Sequence, residues 1–356
     1  MQHWKEGGHD TLCKKIKKAG GAEQYNADQR YAKAVVVAAE ACAEDTKGQT
    51  CFICTQALHW KTKEGLVRGC ACRGTAGFAH VSCLAEQAKI LVAEANENNK
   101  DSQWHRWDNC SLCGQEYHGD VRCALGWACW KTYVGRPEAD WARIFAMHTL
   151  GNGLYAGEHY EDALVVQEAE LSMMRRRGTS ESSILVAQSN LSNAYQIVGR
   201  TKEALQMRRD VYSGWSKLKG EEHDQTLRAA NNYAASLLSL KRFEEAKALL
   251  RQTIPVARRV LGENNDMTLR IKWNYAMALY DDADASLDDQ REAVNTFEDT
   301  EQTARRVLGG AHPTTELIER SLHSARAALR ARGDVESVRE AVAAMTPPGR
   351  TRKFTR

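Results

Sequence analysis

Eight residues constrain this chain more than any others: Cys51-x2-Cys54, Cys70-x-Cys72, His80-x2-Cys83 and Cys110-x2-Cys113. They form four pairs, seven thiols and one imidazole. A zinc ion takes four N or S ligands tetrahedrally, so eight ligands satisfy two ions, both structural. Sites closed in this way keep no open position for a reacting water. The metal then holds a fold, and function lies on the surface that the fold presents. Fifteen residues separate Cys54 from Cys70, seven separate Cys72 from His80, and twenty-six separate Cys83 from Cys110. These loops are long enough for a cross-brace, with the first and third pairs on one ion and the second and fourth on the other.

Disulfides or packed thiols are the alternative for these cysteines. Eleven Cys in 356 residues is a modest density, and no apolar signal segment opens the sequence. Of the remaining cysteines, Cys42 falls in a helical run, Tyr31 to Glu44. Cys123 and Cys129 fall in an aromatic stretch with Trp127 and Trp130 and have no second ligand pair. All three read as packed thiols.

The run from Gly69 through Cys70, Cys72, Arg73, His80 and Cys83 to Leu84 resembles the RING-variant (RING-CH) zinc fingers of membrane-associated ubiquitin ligases. The resemblance covers residues 48–118. The PHD finger, a histone-tail reader, has the same ligand set, but with Cys-x2-Cys as its second pair and a shorter gap before the His. The resemblance implies that a ubiquitin-conjugating enzyme docks on the finger without a covalent intermediate, with Ile53 at its apolar contact position. Ile53 could equally pack a zinc knuckle. RING-variant fingers usually carry a Trp where this chain has Gln87, and no catalytic residue is assigned. Near the N-terminus, Trp4, His9 and Cys13 resemble the end of a MYND zinc finger over residues 1–20. A basic amphipathic helix ending at Lys18 is the plain alternative, followed by a helix and linker over 21–47.

The second half of the chain is periodic. Gly178, Gly220 and Gly262 recur every 42 residues, and Gly309 follows after 47. Asn190, Asn232 and Asn274 keep the 42-residue step, as do Leu185, Leu227 and Leu269. Each Gly follows a helical run and suits a C-cap with positive φ. A fixed period of this size marks stacked helix pairs. Asn232-Tyr233-Ala234, Arg242-Phe243-Glu244-Glu245-Ala246 and Val260-Leu261-Gly262 resemble the tetratricopeptide repeats of kinesin light chains. The array spans 138–345, with an insertion at Asp281–Asp284 and 313–345 as a capping helix pair.

The resemblance implies a groove that holds a substrate or cargo peptide, gripped by Asn190, Asn232 and Asn274. The same amides could instead bond between helices and hold the stack. Arg208-Arg209, Arg258-Arg259 and Arg305-Arg306 suit solvated helix ends or an acidic partner. Pro255 falls inside a helix and should kink it.

Residues 119–137 read as a Trp-rich helix joining finger to array, ended near Arg136-Pro137, and residues 346–356 as a disordered basic tail. A net charge of +3 gives no strong polyanion-binding field, so no nucleic acid is expected. No apolar run approaches the ~20 residues needed to span a bilayer, so an intracellular protein without membrane insertion is expected. The fold class expected is mostly α: a small cross-braced two-zinc finger followed by an α-solenoid. The function expected is that of a RING-CH-type ligase-like protein, or of a non-enzymatic zinc-finger and repeat adaptor.

Overall fold

A computed structural model describes residues 9–97, 103–310 and 312–345. The side chain of His9, residue Trp4 and the 346–356 tail lie outside the described residues, and with them the MYND-like half site and the expected disordered tail. Among the described residues there are thirteen α-helices and no β-strand, only two isolated bridges, Val67 with Ala79 and Asn109 with Glu116. The chain divides into two compact units, Met1–Arg200 and Thr201–Arg356.

The first unit opens with α1 (His9–Ala19) and α2 (Ala22–Ala41). Helix α2 begins nine residues before the expected Tyr31, because Ala and Glu carry helix propensity back to the flexible Gly20-Gly21 break. The finger follows as loops around α3 (Val81–Glu97) and a 3-10 turn, Trp104–Trp107. Then come α4 (Gly119–Tyr133), α5 (Trp141–Ala156), α6 (Tyr160–Arg176) and α7 (Glu181–Ile197). The finger's own core is small: Leu66, Val67, Phe78, Val81, Leu84 and Tyr117 pack with Val35 and Ala38 of α2 and Val121 and Leu125 of α4. A core this thin needs more than burial to persist, which is the physical case for metal cross-links.

A second cluster ties the finger to the helices that follow. Trp104 and the fully buried Trp107 pack with Ala128, Cys129 and Tyr133 of α4 and Ala142 and Ala146 of α5. Cys123 and Cys129 are buried, as expected of packed thiols, and burial pushes the Cys123 thiol up to about 12. Cys42 is half-buried against the finger core.

The second unit is a run of antiparallel helix hairpins: α8 (Thr201–Lys219), α9 (Asp224–Ser239), α10 (Phe243–Leu261), α11 (Asp266–Tyr280), α12 (Leu287–Leu308) and α13 (Pro313–Met345). Gly178, Gly220, Gly262 and Gly309 all take positive φ, between 63° and 90°, as the period requires of C-terminal glycines. Ala204, Ala246 and Ala293 are fully buried, as is Ala163 in the first unit. Alanine at these steps lets neighbouring helix backbones approach closely. Leu237, Leu250, Leu269, Leu279 and Phe297 fill the core between them.

Two sequence expectations are corrected here, the capping pair and the solvated Arg208. Residues 313–345 form one continuous helix instead of a capping pair. A lone Gly333 costs a helix only about 1 kcal/mol, too little to break it among strong helix formers. Arg208 is no solvated helix end: it is 9% exposed and donates to the Asn232 carbonyl and the Ser236 hydroxyl. The other arginine pairs bond within the chain, Arg258 to Glu263, Arg259 to Glu222 and Arg305 to Glu301. The insertion at Asp281–Asp284 is an ordered loop, anchored where the buried Lys247 meets Asp282 at 3.1 Å. Pro255 lies inside helix α10, as expected.

Candidate metal centres and repeat groove

Two groups of four ligand atoms form in the finger. Cys51, Cys54, His80 and Cys83 make one, and Cys70, Cys72, Cys110 and Cys113 the other; within each, the ligand atoms all lie within 4.8 Å of one another. Each group can hold a metal ion. Pairs one and three, and pairs two and four, thus come together in cross-brace order.

Local structure explains each position. Cys51 and Cys54 flank a tight turn in which the amides of Ile53 and Cys54 point at the Cys51 sulfur, at 3.4 and 3.5 Å. Thr55 closes that turn at φ 62°, a costly conformation for a β-branched residue. Around Cys110 and Cys113 the same turn recurs, with the Leu112 amide 3.4 Å from the Cys110 sulfur and Gly114 at φ 70°.

His80 and Cys83 sit at the start of α3, where Glu64 accepts from the Ser82 amide at 2.7 Å and from its hydroxyl at 2.8 Å. A carboxylate there satisfies a free helix N-terminal donor. The ring of His80 is fully buried. Its Nε2 faces the Ala57 carbonyl at 3.4 Å, and its Nδ1 lies 3.4 Å from the Cys54 sulfur and 3.7 Å from the Cys83 sulfur. A proton on Nε2 donating to Ala57 leaves the Nδ1 lone pair for a metal, the usual outer support of a ligating imidazole.

The donor set fits zinc. Four sulfurs around one zinc ion stand about 3.8 Å apart when each bond is near 2.3 Å. The Cys72 and Cys110 sulfurs are 3.8 Å apart. Backbone donation from Gln115 holds the Cys113 thiol down to about 7, while burial pushes Cys70 up to about 11 and also raises Cys72 and Cys83. Buried thiols crowded together cannot all ionise alone; a divalent cation removes that conflict. Gly77 permits the crowding, since a Cβ there would sit 2.6 Å from the Cys72 Cβ, and its φ is 84°.

Beside the first tetrad lies a groove of about 440 Å3. Ile53, Trp60, Gln87, Ile90 and Leu91 line it, and Ile53, Trp60 and Ile90 are exposed. Trp60 is 68% exposed, unusual for an indole with no partner to cover it. Sequence reasoning found Ile53 but missed Trp60, Ile90 and Leu91, because only the loop fold brings residue 60 beside α3.

The three asparagines of the array differ in their surroundings. Asn274 is 3% exposed and donates to the Asn231 side chain at 2.8 Å, so its amide is used inside the stack. Asn232 is half-buried. In the first unit Asn190 donates to Asn152 at 3.3 Å; Asn152 bonds the His148 ring at 3.0 Å, and the other ring nitrogen meets Glu170 at 2.9 Å. Burial pushes the His148 pKa down, but the hydrogen bond and charge of Glu170 outweigh it and leave it raised.

The family model described as tetratricopeptide repeat matches residues 183–259 and 226–305. This part of the chain is a tetratricopeptide-repeat scaffold for protein–protein interaction. Among solved structures, the chain is similar to a kinesin light chain from Podosopora anserina with nearly identical TPR-like repeats, at 19% identity over 64% of this chain and 97% of that one, TM-score 0.45. It is similar to BtubC (BKLC) from P. vanneervenii at 16% identity over 78% and 93%, TM-score 0.45. It is also similar to the TPR2AB domain of yeast Sti1, in its complex with pHSP90, at 14% identity over 69% and 99%, TM-score 0.25. No curated protein matches the chain at a significant level. No described helix is long and apolar enough to cross a membrane.

Proposed function

We propose that this chain is a zinc-dependent, RING-CH-type ubiquitin-ligase-like protein whose finger docks a ubiquitin-conjugating enzyme and whose repeats recruit a substrate peptide. The observation that carries this reading is the groove beside the first tetrad, where Ile53, Trp60 and Ile90 offer exposed apolar surface. Zinc, when bound, supplies structure only, because all four ligands of each site come from protein. The residues Cys51, Cys54, His80 and Cys83 would hold one ion and Cys70, Cys72, Cys110 and Cys113 the other.

The chain needs no nucleophile of its own for this work. Holding a charged conjugating enzyme beside a tethered substrate turns an encounter between two molecules into one within a complex. Trp60 offers the groove an indole where Gln87 supplies none. Asn190 and Asn232 are the amides of the array that a peptide main chain would meet, since an Asn side chain both donates and accepts.

Lysine discharge from a panel of ubiquitin-charged conjugating enzymes tests this reading. Acceleration by the full chain, lost in Cys51→Ser and Trp60→Ala, is the expected result. No acceleration with any enzyme of the panel overturns it. It would leave the second reading, a non-enzymatic adaptor, which the polar Gln87 in the groove favours.

A further inference from the structure

Helices α5, α6 and α7 of the first unit enclose a mostly apolar cavity of about 530 Å3, which shares no residue with the groove beside the first tetrad. On α5, Trp141, Ile144, Phe145 and His148 stand at i, i+3, i+4 and i+7, so one face of that helix supplies a wall. Met174 of α6 and Val186 of α7 complete the apolar lining. Trp141, Phe145 and Val186 are 48%, 41% and 40% exposed. Large apolar side chains left open to solvent in a concave site mark a place for a ligand.

The polar residues of the lining decide the charge of the occupant. His148 spends both ring nitrogens inside the chain, on Glu170 at 2.9 Å and on Asn152 at 3.0 Å, and Glu170 is 3% exposed. An imidazolium and a carboxylate in contact cancel, so this pair offers no net charge to a ligand. Arg177, the C-cap of α6, is exposed and makes no ion pair among the described residues. Asp140 acts on it through space, with its carboxylate already accepting from the Ala142 amide at 2.8 Å and from Arg136 at 3.1 Å. Thr179 and Ser183 follow Arg177 across the α6–α7 turn and into the first turn of α7, where the helix dipole favours an anion. Glu181 lies in the same turn but does not line the cavity. One uncompensated cation with two hydroxyls beside it is the complement of a carboxylate. From Trp141 to His148 the helix rises about 10 Å, at about 1.5 Å per residue, which a medium-chain alkyl group spans.

We propose that this cavity binds a small amphipathic carboxylate, with its alkyl body against Phe145, Met174 and Val186 and its carboxylate on Arg177. The inference depends neither on the ligase reading nor on a peptide in the repeats. Isothermal titration calorimetry on the full chain compares decanoate with decanol and decylamine, which keep the alkyl body and change the head. Decanoate should bind with one equivalent, decanol about tenfold more weakly and decylamine more weakly still, since a charge-assisted pair is lost or reversed. Arg177→Gln should bring decanoate down to the affinity of decanol and leave decanol unchanged. Val186→Trp fills the cavity from a position already 40% exposed. It should abolish binding of both ligands while the thermal midpoint stays at the wild-type value. No heat of binding with decanoate, equal binding of decylamine, or unchanged affinity in Arg177→Gln overturns the proposal. So does tighter binding of acetyl-leucyl-phenylalanine, which would make the occupant the C-terminus of a protein.

Discussion

Trp104 lies edge-on to Trp141, with ring centroids 5.1 Å apart and planes at 69°. Trp104 belongs to the loop between the third and fourth ligand pairs, and Trp141 opens α5. Phe145 and Tyr133 each lie 5.0 Å from the Trp104 ring. The finger is therefore seated on α4 and α5 through one aromatic cluster.

Trp104→Ala should destabilise the first unit by about 3–5 kcal/mol, the usual cost of removing a buried Trp. Trp104→Phe, which keeps an aromatic in the cluster, should cost less. Chemical denaturation followed by tryptophan fluorescence measures both. Equal stability of Trp104→Ala and wild type would show that this cluster does not hold the finger.

Gly77→Ala should loosen the second tetrad. The added Cβ meets Cys72 at 2.6 Å, and φ 84° is strained for any side chain. Zinc release to a chromogenic chelator should be faster by about tenfold or more, because a distorted ligand loop holds its ion less well. Thr55→Gly removes the strain at φ 62° and should leave release unchanged or slower.

The Lys247 ammonium, 5% exposed, meets Glu244 and, at 3.1 Å, Asp282. Removing one partner of a buried pair costs more than replacing the charged residue with an apolar one. Asp282→Ala should cost the second unit more than Lys247→Met, by about 1–2 kcal/mol in urea denaturation. The reverse order would mean that Asp282 does not anchor the inserted loop.

His148 titrates above the ordinary imidazole value of 6.5 in the folded chain. Burial opposes the charge, and Glu170 outweighs it. A pKa raised on folding gives stability that is complete below the unfolded value and is lost as pH rises through the folded one. Wild type should therefore lose stability relative to His148→Gln as pH rises from the ordinary imidazole value of 6.5 through the raised folded one. Parallel stability curves for the two proteins would rule out a raised His148.

The repeat fold was legible because it is written in periods: glycines at helix ends, alanines where helices touch and leucines between them. The ligand sets were legible because short Cys and His pairs have few other uses. What the sequence hid depends on contact between distant segments. Trp104 and Trp107 carry neither a period nor a pair, so nothing marks them as the seat of the finger. Trp60 enters the groove only because the 55–63 loop folds beside α3. Asn274 shares its spacing with Asn190 but is buried, since burial depends on how the neighbouring helix packs and not on the repeat step. The unbroken α13 was missed because a lone glycine resembles a turn until helix propensity on both sides outweighs it.

The central claim is a cross-braced pair of closed metal sites. Zinc content per chain, measured on the full chain, on Cys51→Ser and on Cys70→Ser, tests it most directly. Two equivalents in wild type, about one in each single variant and none in the double variant are expected, since each substitution breaks a different tetrad. One equivalent in wild type, or the same remaining equivalent lost from both single variants, would contradict it.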